Sequence, residues 1–311
     1  MVSFRVSELE QLLIDRLVVR LAVMRSTIHV VTADDFLPLR AALQPVLDRG
    51  MQTNHGKHLK GVDRRELALL TRSMLAGSLK TLNDIGRLLE RHFPGFDVAH
   101  PAAAAKTDVP LVQKPPRGLW RAGGLPPHSP AEDWFDRLSG DAATLDSLVL
   151  RYLAALGPAS VQDMQSWCGL TRLSSTVLAM GDGLVVYQDE TGRELFELPD
   201  QTLPDPNMPM PVRFLPEWDT ILLSYADKSR ILPPEYKPRI FTKNGIIRTT
   251  VLVDGFVAGI WRSSLSDDTA TLKIESFRPF DRAATSEVIS EGLRLLAFLE
   301  PGSSSREVVI Q

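Results

Sequence analysis

Twice along this chain of 311 residues, a series of short helical segments ends in two apolar arms around a turn. The first series occupies residues 61–130 and ends around the Pro-Pro-Arg-Gly turn at residues 115–118. The second occupies residues 131–200, where arms that alternate at period two meet at Asp-Glu-Thr-Gly, residues 189–192. This order restricts the fold to small units in which a β-hairpin follows several helices.

Three helices followed by a hairpin is the element order of a winged helix–turn–helix unit. Residues 1–60 contain a partial first unit, in which the apolar spacing of residues 7–24 predicts a single helix. A β-branched stretch follows, and Thr32 is expected to cap the next helix. Residues 61–130, where Asp63 or a neighbour is the expected cap, and residues 131–200 are the second and third units.

The chain changes character after a linker over residues 198–211 that contains five prolines. Residues 211–311 are rich in predicted strands, including a hairpin at Asp254-Gly255, and end in an amphipathic helix at 286–299. We therefore predict an α+β chain, with tandem winged helix–turn–helix units followed by a small C-terminal β-barrel domain. A curved sheet closed by one helix is the alternative for this last domain.

The cysteine and hydropathy patterns exclude several classes of protein. The single cysteine, Cys168, rules out an intramolecular disulfide and a cysteine-based zinc cluster. No apolar run approaches the roughly 18 residues of a membrane span, and the N-terminus lacks the layout of a signal peptide. We expect a cytoplasmic monomer without a membrane partner, associated with the nucleoid when it binds DNA.

The net charge of −3 hides an uneven distribution along the chain. Residues 1–60 carry a net charge of +2, residues 61–130 carry +4, residues 131–200 carry −8 and residues 201–311 carry −1. A uniformly basic surface for nucleic acid is therefore excluded. Any phosphate-binding surface must be local, because the field of the whole molecule does not attract DNA.

No catalytic signature stands out, since the P-loop, GxGxxG, HExxH and GxSxG patterns are absent. His55 and His58 are spaced as metal ligands, but they occur in a loop with glycines and lysines, which favours a solvated loop. Cys168 follows Trp167 on an apolar helix and is interpreted as a buried structural thiol. We expect no metal and no cofactor.

Three segments are candidates for contact with a phosphate backbone. The first combines a cation, two hydroxyl groups and an imidazole within five residues, namely Arg25, Ser26, Thr27 and His29. Such groups suit phosphate oxygens. The alternative is that the hydroxyl groups cap the backbone locally and that His29 is a core or surface residue whose hydrogen bonds are satisfied.

The second candidate is the predicted wing at residues 114–121, where Lys114, Arg117 and Arg121 surround an aromatic residue, Trp120. Wings approach phosphates or minor grooves through such cations. The alternative is a rigid turn with Trp120 in the core. The third candidate is the basic run at 226–249, represented by Arg230, Arg239, Lys243 and Arg248. It predicts a protruding basic hairpin or loop that reaches DNA, and the alternative is a solvated barrel rim.

Several blocks of sequence, in order along nearly the whole chain, resemble one known family. They are Leu-Ala-Val-Met-Arg-Ser-Thr-Ile-His at 21–29, Val-Thr-Ala-Asp-Asp at 31–35, Leu-Val-Gln-Lys-Pro-Pro-Arg-Gly-Leu-Trp at 111–120, Gly-Leu-Thr-Arg-Leu at 169–173, Gly-Arg-Glu-Leu-Phe at 192–196, Phe-Leu-Pro-Glu-Trp-Asp at 214–219, Val-Leu-Val-Asp-Gly at 251–255 and Gly-Ile-Trp-Arg at 259–262. They resemble the bacterial winged-helix DNA-binding-domain proteins that include the DNA glycosylase AlkZ.

The resemblance implies tandem winged helices and a C-terminal β-barrel around a channel for double-stranded DNA. It also implies excision of alkylated bases or unhooking of interstrand crosslinks. The family's Gln-apolar-Gln or Gln-apolar-Asp motif is absent, since Gln11 is the only glutamine before residue 30. No catalytic residue is therefore assigned. We expect a longer form that contains the motif, or a non-catalytic DNA-binding protein such as a transcriptional regulator. The third alternative, which the net charge of −3 permits, is a structural member of the family that no longer binds DNA.

Overall fold

The computed structural model describes residues 4–135, 144–205 and 207–311, which form two compact units. The first unit comprises Met1–Ala155 with Cys168–Gly183, and the second comprises Leu156–Trp167 with Leu184–Gln311. Both units mix helices with a β-sheet, as the sequence predicts for an α+β chain. The finer division at residues 60, 130 and 200 stays a prediction.

Polar caps fix the starts of helices in the first unit. Thr32 accepts a hydrogen bond from the backbone N–H of Asp35 at 3.2 Å, and Asp63 accepts one from Arg65 at 2.8 Å. Both predicted caps are confirmed. The helices that lie wholly or almost wholly in this unit are α1 (Val6–Ile14), α2 (Ala33–Ala42), α3 (Gln44–His55), α4 (Arg64–Leu75), α5 (Leu82–His92), α6 (Ala99–Asp108), α7 (Ala131–Trp134), α8 (Leu145–Leu156) and α10 (Ser174–Ala179).

The prediction of one helix over residues 7–24 is wrong in its second half. Helix α1 ends at Ile14, and Val18–Ala22 form strand β1. Burial along β1 follows a period of two at its centre, because Val19 and Leu21 are buried and Arg20 between them is half-buried. These residues form a strand and not a helix because β2 and β3, on either side, provide hydrogen-bond partners for the backbone N–H and C=O groups of β1.

A four-stranded sheet organises the first unit, in the order β2–β1–β3–β4 with every pair antiparallel. The remaining strands are β2 (Ile28–Thr32), β3 (Leu111–Gln113) and β4 (His128–Pro130). The predicted second arm of the wing at residues 119–121 is not a strand, and β4 takes its place beside β3. Residues 114–127 consequently form a long loop between the two strands.

The helical core of this unit lies among α4, α5 and α6. Leu67, Ile85 and Leu89 are completely buried there, and each such side chain contributes about 1.5–3 kcal/mol by its removal from water. Gly86 brings α5 close to the start of α6, because a β-carbon at this position would lie 2.3 Å from the carbonyl oxygen of Val98. Leu111 of β3 belongs to the same core, which therefore joins these helices to the sheet.

The second unit contains a two-stranded hairpin and a five-stranded sheet. The hairpin of β5 (Val185–Gln188) and β6 (Glu194–Glu197) confirms the predicted arms around residues 189–192. The five-stranded sheet has the order β11–β10–β9–β8–β7. Its strands, together with three helices of the unit, are α9 (Val161–Cys168), β7 (Arg213–Leu215), α11 (Lys237–Ile240), β8 (Thr250–Val253), β9 (Phe256–Ser266), β10 (Thr269–Ser276), α12 (Arg282–Leu299) and β11 (Ser305–Ile310).

This sheet is open, and the closed β-barrel predicted for residues 211–311 is not what the described residues form. Strands β7 and β11 are its two edges, and β11 adds to β10 in parallel. Helix α12 covers one face instead, with Val288 and Leu296 completely buried against the sheet. Gly292 allows this close approach, since a β-carbon there would lie 3.0 Å from the side chains of Leu272 and Val308.

Candidate nucleic-acid interface

The first predicted site forms a strained turn at the tip of the β1–β2 hairpin. Arg25 and Ser26 both have positive φ angles, 53° and 62°, which residues other than glycine rarely adopt. The backbone N–H of Thr27 donates to the carbonyl oxygen of Met24 at 3.0 Å and closes the turn. Consecutive strained residues persist only where their surroundings hold them, and such strain is concentrated at functional sites.

The surroundings of this turn are close-packed. A β-carbon at Gly50 in α3 would lie 3.2 Å from the hydroxyl oxygen of Ser26. Gly169 lies against the backbone of Arg25 in the same way. Burial lowers the pKa of the Arg25 guanidinium, although an arginine remains charged at neutral pH. The turn therefore holds a half-buried cation in a fixed position.

Thr27 and His29 make local hydrogen bonds next to this turn. The Thr27 hydroxyl donates to the carbonyl oxygen of Met24 at 3.0 Å, and Nδ1 of His29 donates to the carbonyl oxygen of Thr27 at 3.0 Å. Burial, with a smaller effect of the Arg25 charge, lowers the pKa of His29. The imidazole is accordingly neutral at pH 7, with Nε2 as its remaining acceptor. The alternative of local capping thus describes part of this segment.

The second predicted site lies in the 114–127 loop, where the side chains of cations stack on aromatic rings. Lys114 Nζ lies 4.2 Å from the ring centroid of Trp134, and the guanidinium of Arg16 lies 4.6 Å from the same centroid. The guanidinium of Arg121 lies 6.0 Å from the ring of Trp120, which is 42% exposed. Trp120 is therefore not the core residue of the alternative interpretation.

Sequence reasoning missed Arg20, which joins this second group. It lies on β1 opposite Gln113 of β3, and its guanidinium packs against Gly118 and near Arg117. Its position in a strand was hidden by the predicted helix over residues 7–24. The signal that identifies it is the alternation of β1, in which Arg20 separates two buried apolar residues.

The first two sites lie toward opposite ends of β1. The Arg25 turn follows Ala22, whereas Lys114 continues β3 beyond the pair of Gln113 with Arg20, toward Val18. Four residue steps of about 3.3 Å separate the ends of the strand. The structure therefore places these cations in one sheet but in two groups.

Two of the predicted cations in the second unit make intramolecular contacts. Arg230 donates to the carbonyl oxygen of Pro158 at 2.8 Å and lies 5.0 Å from the ring of Tyr225. Arg239 donates to Glu275 at 2.5 Å and stacks on Phe277 at 3.7 Å. These contacts give both arginines a role within the unit.

Lys243 and Arg248 are exposed in and beside a short hairpin. Phe241 pairs with Ile247, and the turn between them contains Gly245 with a φ angle of 76°. Trp218, which is 53% exposed, donates a hydrogen bond from its indole N–H to the carbonyl oxygen of Gly245 at 3.1 Å. This hydrogen bond stabilises the turn. Within the basic run, the structure therefore contains a turn closed by the single Phe241–Ile247 bridge, preceded by helix α11, and Lys243 and Arg248 are accessible there.

Three histidines meet elsewhere in the first unit. Nδ1 of His55 lies 2.9 Å from Nδ1 of His100, and the ring of His58 stacks on His100 with centroids 4.2 Å apart. Within the described residues, no three His, Cys, Asp or Glu side chains are grouped so that they could hold a metal ion. The Cys168 thiol is buried as predicted, and burial raises its pKa.

The helices of the described part of the chain are all too short or too polar to cross a membrane.

Comparisons with known proteins show to which family the chain is similar. The model of a family described as DNA glycosylase AlkZ-like matches residues 1–298. An interstrand DNA cross-link repair glycosylase of Streptomyces sahachiroi is 30% identical over 159 residues, which are 49% of this chain and 42% of that protein. This match spans less than half of the relative's length.

A solved structure shows the likeness of the fold. The DNA glycosylase AlkZ of Streptomyces sahachiroi superposes with a TM-score of 0.77 at 20% identity, covering 98% of this chain and 85% of that one. The family match extends over nearly the whole sequence and includes all the candidate residues described above. The chain therefore belongs to the AlkZ-like DNA glycosylase family.

Proposed function

We propose that this protein binds double-stranded DNA and acts in its repair, by removing alkylated bases or unhooking interstrand crosslinks. The observation that carries the proposal is the family match over residues 1–298. The Streptomyces sahachiroi relative is named for cross-link repair, which supports the choice of lesion.

The proposed architecture is a tandem series of winged helices. Its support is the order of elements, since α4, α5 and α6 precede strands β3 and β4, and α8, α9 and α10 precede the β5–β6 hairpin. The 114–127 loop is the proposed wing of the second unit. This loop connects the paired strands β3 and β4 and contains Lys114, Arg117 and Arg121.

The proposed interface consists of local cations on a chain with a net charge of −3. Lys114, Arg117 and Arg121 are its strongest members, and Lys243 with Arg248 add an exposed hairpin in the second unit. Arg25, Ser26, Thr27 and His29 are proposed as a rigid contact at the β1–β2 turn. Arg230 and Arg239 are also proposed to contact DNA, but both make intramolecular contacts that compete with a phosphate.

A second candidate function is DNA binding without base removal, as in a transcriptional regulator. The observation that favours it is the absence of a Gln-apolar-Gln or Gln-apolar-Asp pattern before residue 30. Hydrolysis of a glycosidic bond requires a group that positions water or stabilises the sugar cation. No residue of the chain is assigned that role.

Release of the modified base from a duplex with one bulky N7-alkylguanine tests the proposal. The Streptomyces sahachiroi glycosylase is the positive control, and an undamaged duplex of the same sequence is the negative control. Release by this protein supports a repair glycosylase. Salt-dependent binding of both duplexes without release favours the second candidate, and the absence of both binding and release contradicts the proposal.

A further inference from the structure

Arg20 is a cation on the outer face of the four-stranded sheet. Its cross-strand neighbours are Val30 in β2 and Gln113 in β3. Val19 and Leu21, on either side of it, point into the core and are buried. The strand therefore fixes the direction of the Arg20 side chain, and the side chain crosses the sheet toward the loop after β3.

Gly118 of that loop lies directly against the Arg20 side chain. A β-carbon at Gly118 would lie 2.5 Å from Cδ, 3.2 Å from Nη1 and 3.3 Å from Nε of Arg20. The φ angle of Gly118 is 104°, which glycine adopts without strain. The absence of a side chain at this position therefore makes room for the guanidinium group.

The guanidinium group of Arg20 lacks a counter-charge in the described part of the chain. Its Nη1 atom is buried and has no hydrogen-bond partner there. Burial and the neighbouring charge of Arg117 both lower the pKa of Arg20, and no carboxylate opposes them. Buried donors are normally paired, so an unpaired donor beside a second cation requires an explanation.

We infer that Arg20 and Arg117 together bind one phosphate group of the DNA backbone, with Gly118 as the spacer that admits the Arg20 side chain. The inference rests on the proposed function. It adds Arg20, which the sequence did not predict as a site residue, to the proposed contact with DNA. A phosphate accepts hydrogen bonds from two guanidinium groups at once, here from the nitrogen atoms of Arg20 other than the enclosed Nη1, and it supplies the negative charge that Arg20 lacks within the described residues. Lys114 and Arg121, in the same loop, extend the contact to adjacent phosphates.

The test is the affinity of the full chain for a fluorescent undamaged duplex, measured by anisotropy at several salt concentrations. The variants are Arg20→Met, Arg117→Met and the double variant. Arg262→Met is the matched control, because it removes an equal charge from an exposed strand position in the second unit. Methionine keeps about the length of the aliphatic part of the Arg20 side chain and removes the guanidinium group with its charge.

We expect Arg20→Met to weaken binding about tenfold and to reduce the salt slope by about 1. The double variant is expected to have nearly the same affinity as the single variant that binds DNA less tightly, because both arginines share one phosphate. For the same reason its salt slope is expected to be reduced by about 1. Arg262→Met is expected to change neither quantity. The melting temperature of Arg20→Met is expected to be unchanged or higher, because a half-buried charge without a counter-charge is removed.

Three results would overturn the inference while leaving the proposed function intact. They are wild-type affinity in both single variants, losses that multiply in the double variant with a slope reduced by about 2, and a lower melting temperature of Arg20→Met without a change in affinity. Failure of the wild-type protein to bind any duplex at low salt is a different result. It contradicts the proposed function, and with it the phosphate site.

Discussion

Gly169 lies directly against the backbone of Arg25. A β-carbon at Gly169 would lie 3.3 Å from both N and Cα of Arg25, and 2.8 Å from Cγ1 of Val46 in α3. Gly169 also has a φ angle of 86°. This contact holds the strained turn at the tip of the β1–β2 hairpin between two parts of the first unit.

Gly169→Ala is therefore expected to lower the free energy of unfolding by about 2 kcal/mol, from the unfavourable φ angle and the close contacts together. Chemical denaturation measures this loss. Gly183→Ala is the matched control, because Gly183 has no positive φ angle and no atom within 4 Å of its β-carbon position. Equal stability of the two variants would show that the Arg25 turn does not depend on Gly169.

Arg25→Ala is expected to weaken DNA binding by a similar factor on two duplexes of unrelated sequence, about tenfold at low salt, because a phosphate contact carries no sequence information. Anisotropy titrations with both duplexes measure the effect. Unchanged affinity at low salt would remove Arg25 from the interface. A loss confined to one sequence would instead indicate contact with a base.

The exposed hairpin in the second unit gives a prediction based on charge reversal. Lys243→Glu combined with Arg248→Glu is expected to weaken duplex binding at least tenfold and to reduce the salt slope by about 2. Arg262→Glu combined with Lys273→Glu is the control, because it reverses two exposed charges on neighbouring strands of the same unit. An equal loss of duplex affinity in the two double variants would show that Lys243 and Arg248 are solvated surface residues and do not contact DNA specifically.

His128 predicts a pH dependence of stability. Its side chain is buried, and burial with a smaller effect of Lys106 lowers its pKa to about 4. The unfolded chain, with a histidine pKa near 6.5, binds a proton that the folded chain excludes. The stabilisation is therefore complete above about pH 6.5 and is lost as the pH falls toward 4, by up to about 3 kcal/mol.

Denaturation of His128→Gln between pH 4 and 7 checks this assignment. The variant is expected to lose the part of the pH dependence that His128 contributes. His92→Gln, at an exposed position on α5, is expected to retain the wild-type profile. An identical pH profile in wild type and His128→Gln would contradict the assignment.

Local signals in the sequence predicted those elements whose partners are close along the chain. Thr32 and Asp63 cap their helices as expected, and the hairpins at 189–192 and Asp254-Gly255 form as expected. In each case the hydrogen bonds join residues a few positions apart. Cap and turn chemistry is therefore sufficient to identify them.

Long-range pairing explains what the sequence did not reveal. The apolar residues of β1 fit a helix as well as a strand, and only pairing with β2 and β3 decides between the two. Strand β11 was not predicted because its partner, β10, ends about 30 residues earlier in the sequence, and α12 lies between the two strands along the chain. Gly118 and Arg20 are likewise far apart in the chain, so their contact has no local signal.

The affinity of the protein for an undamaged duplex, measured from about 50 to about 200 mM salt, tests the central claim of DNA binding most directly. The account predicts measurable binding at low salt and a linear fall of the logarithm of the association constant with the logarithm of the salt concentration. Such a slope reports the release of counterions from the phosphates that a bound protein neutralises. Absence of binding at the lowest salt concentration, or an affinity that does not change with salt, would contradict it.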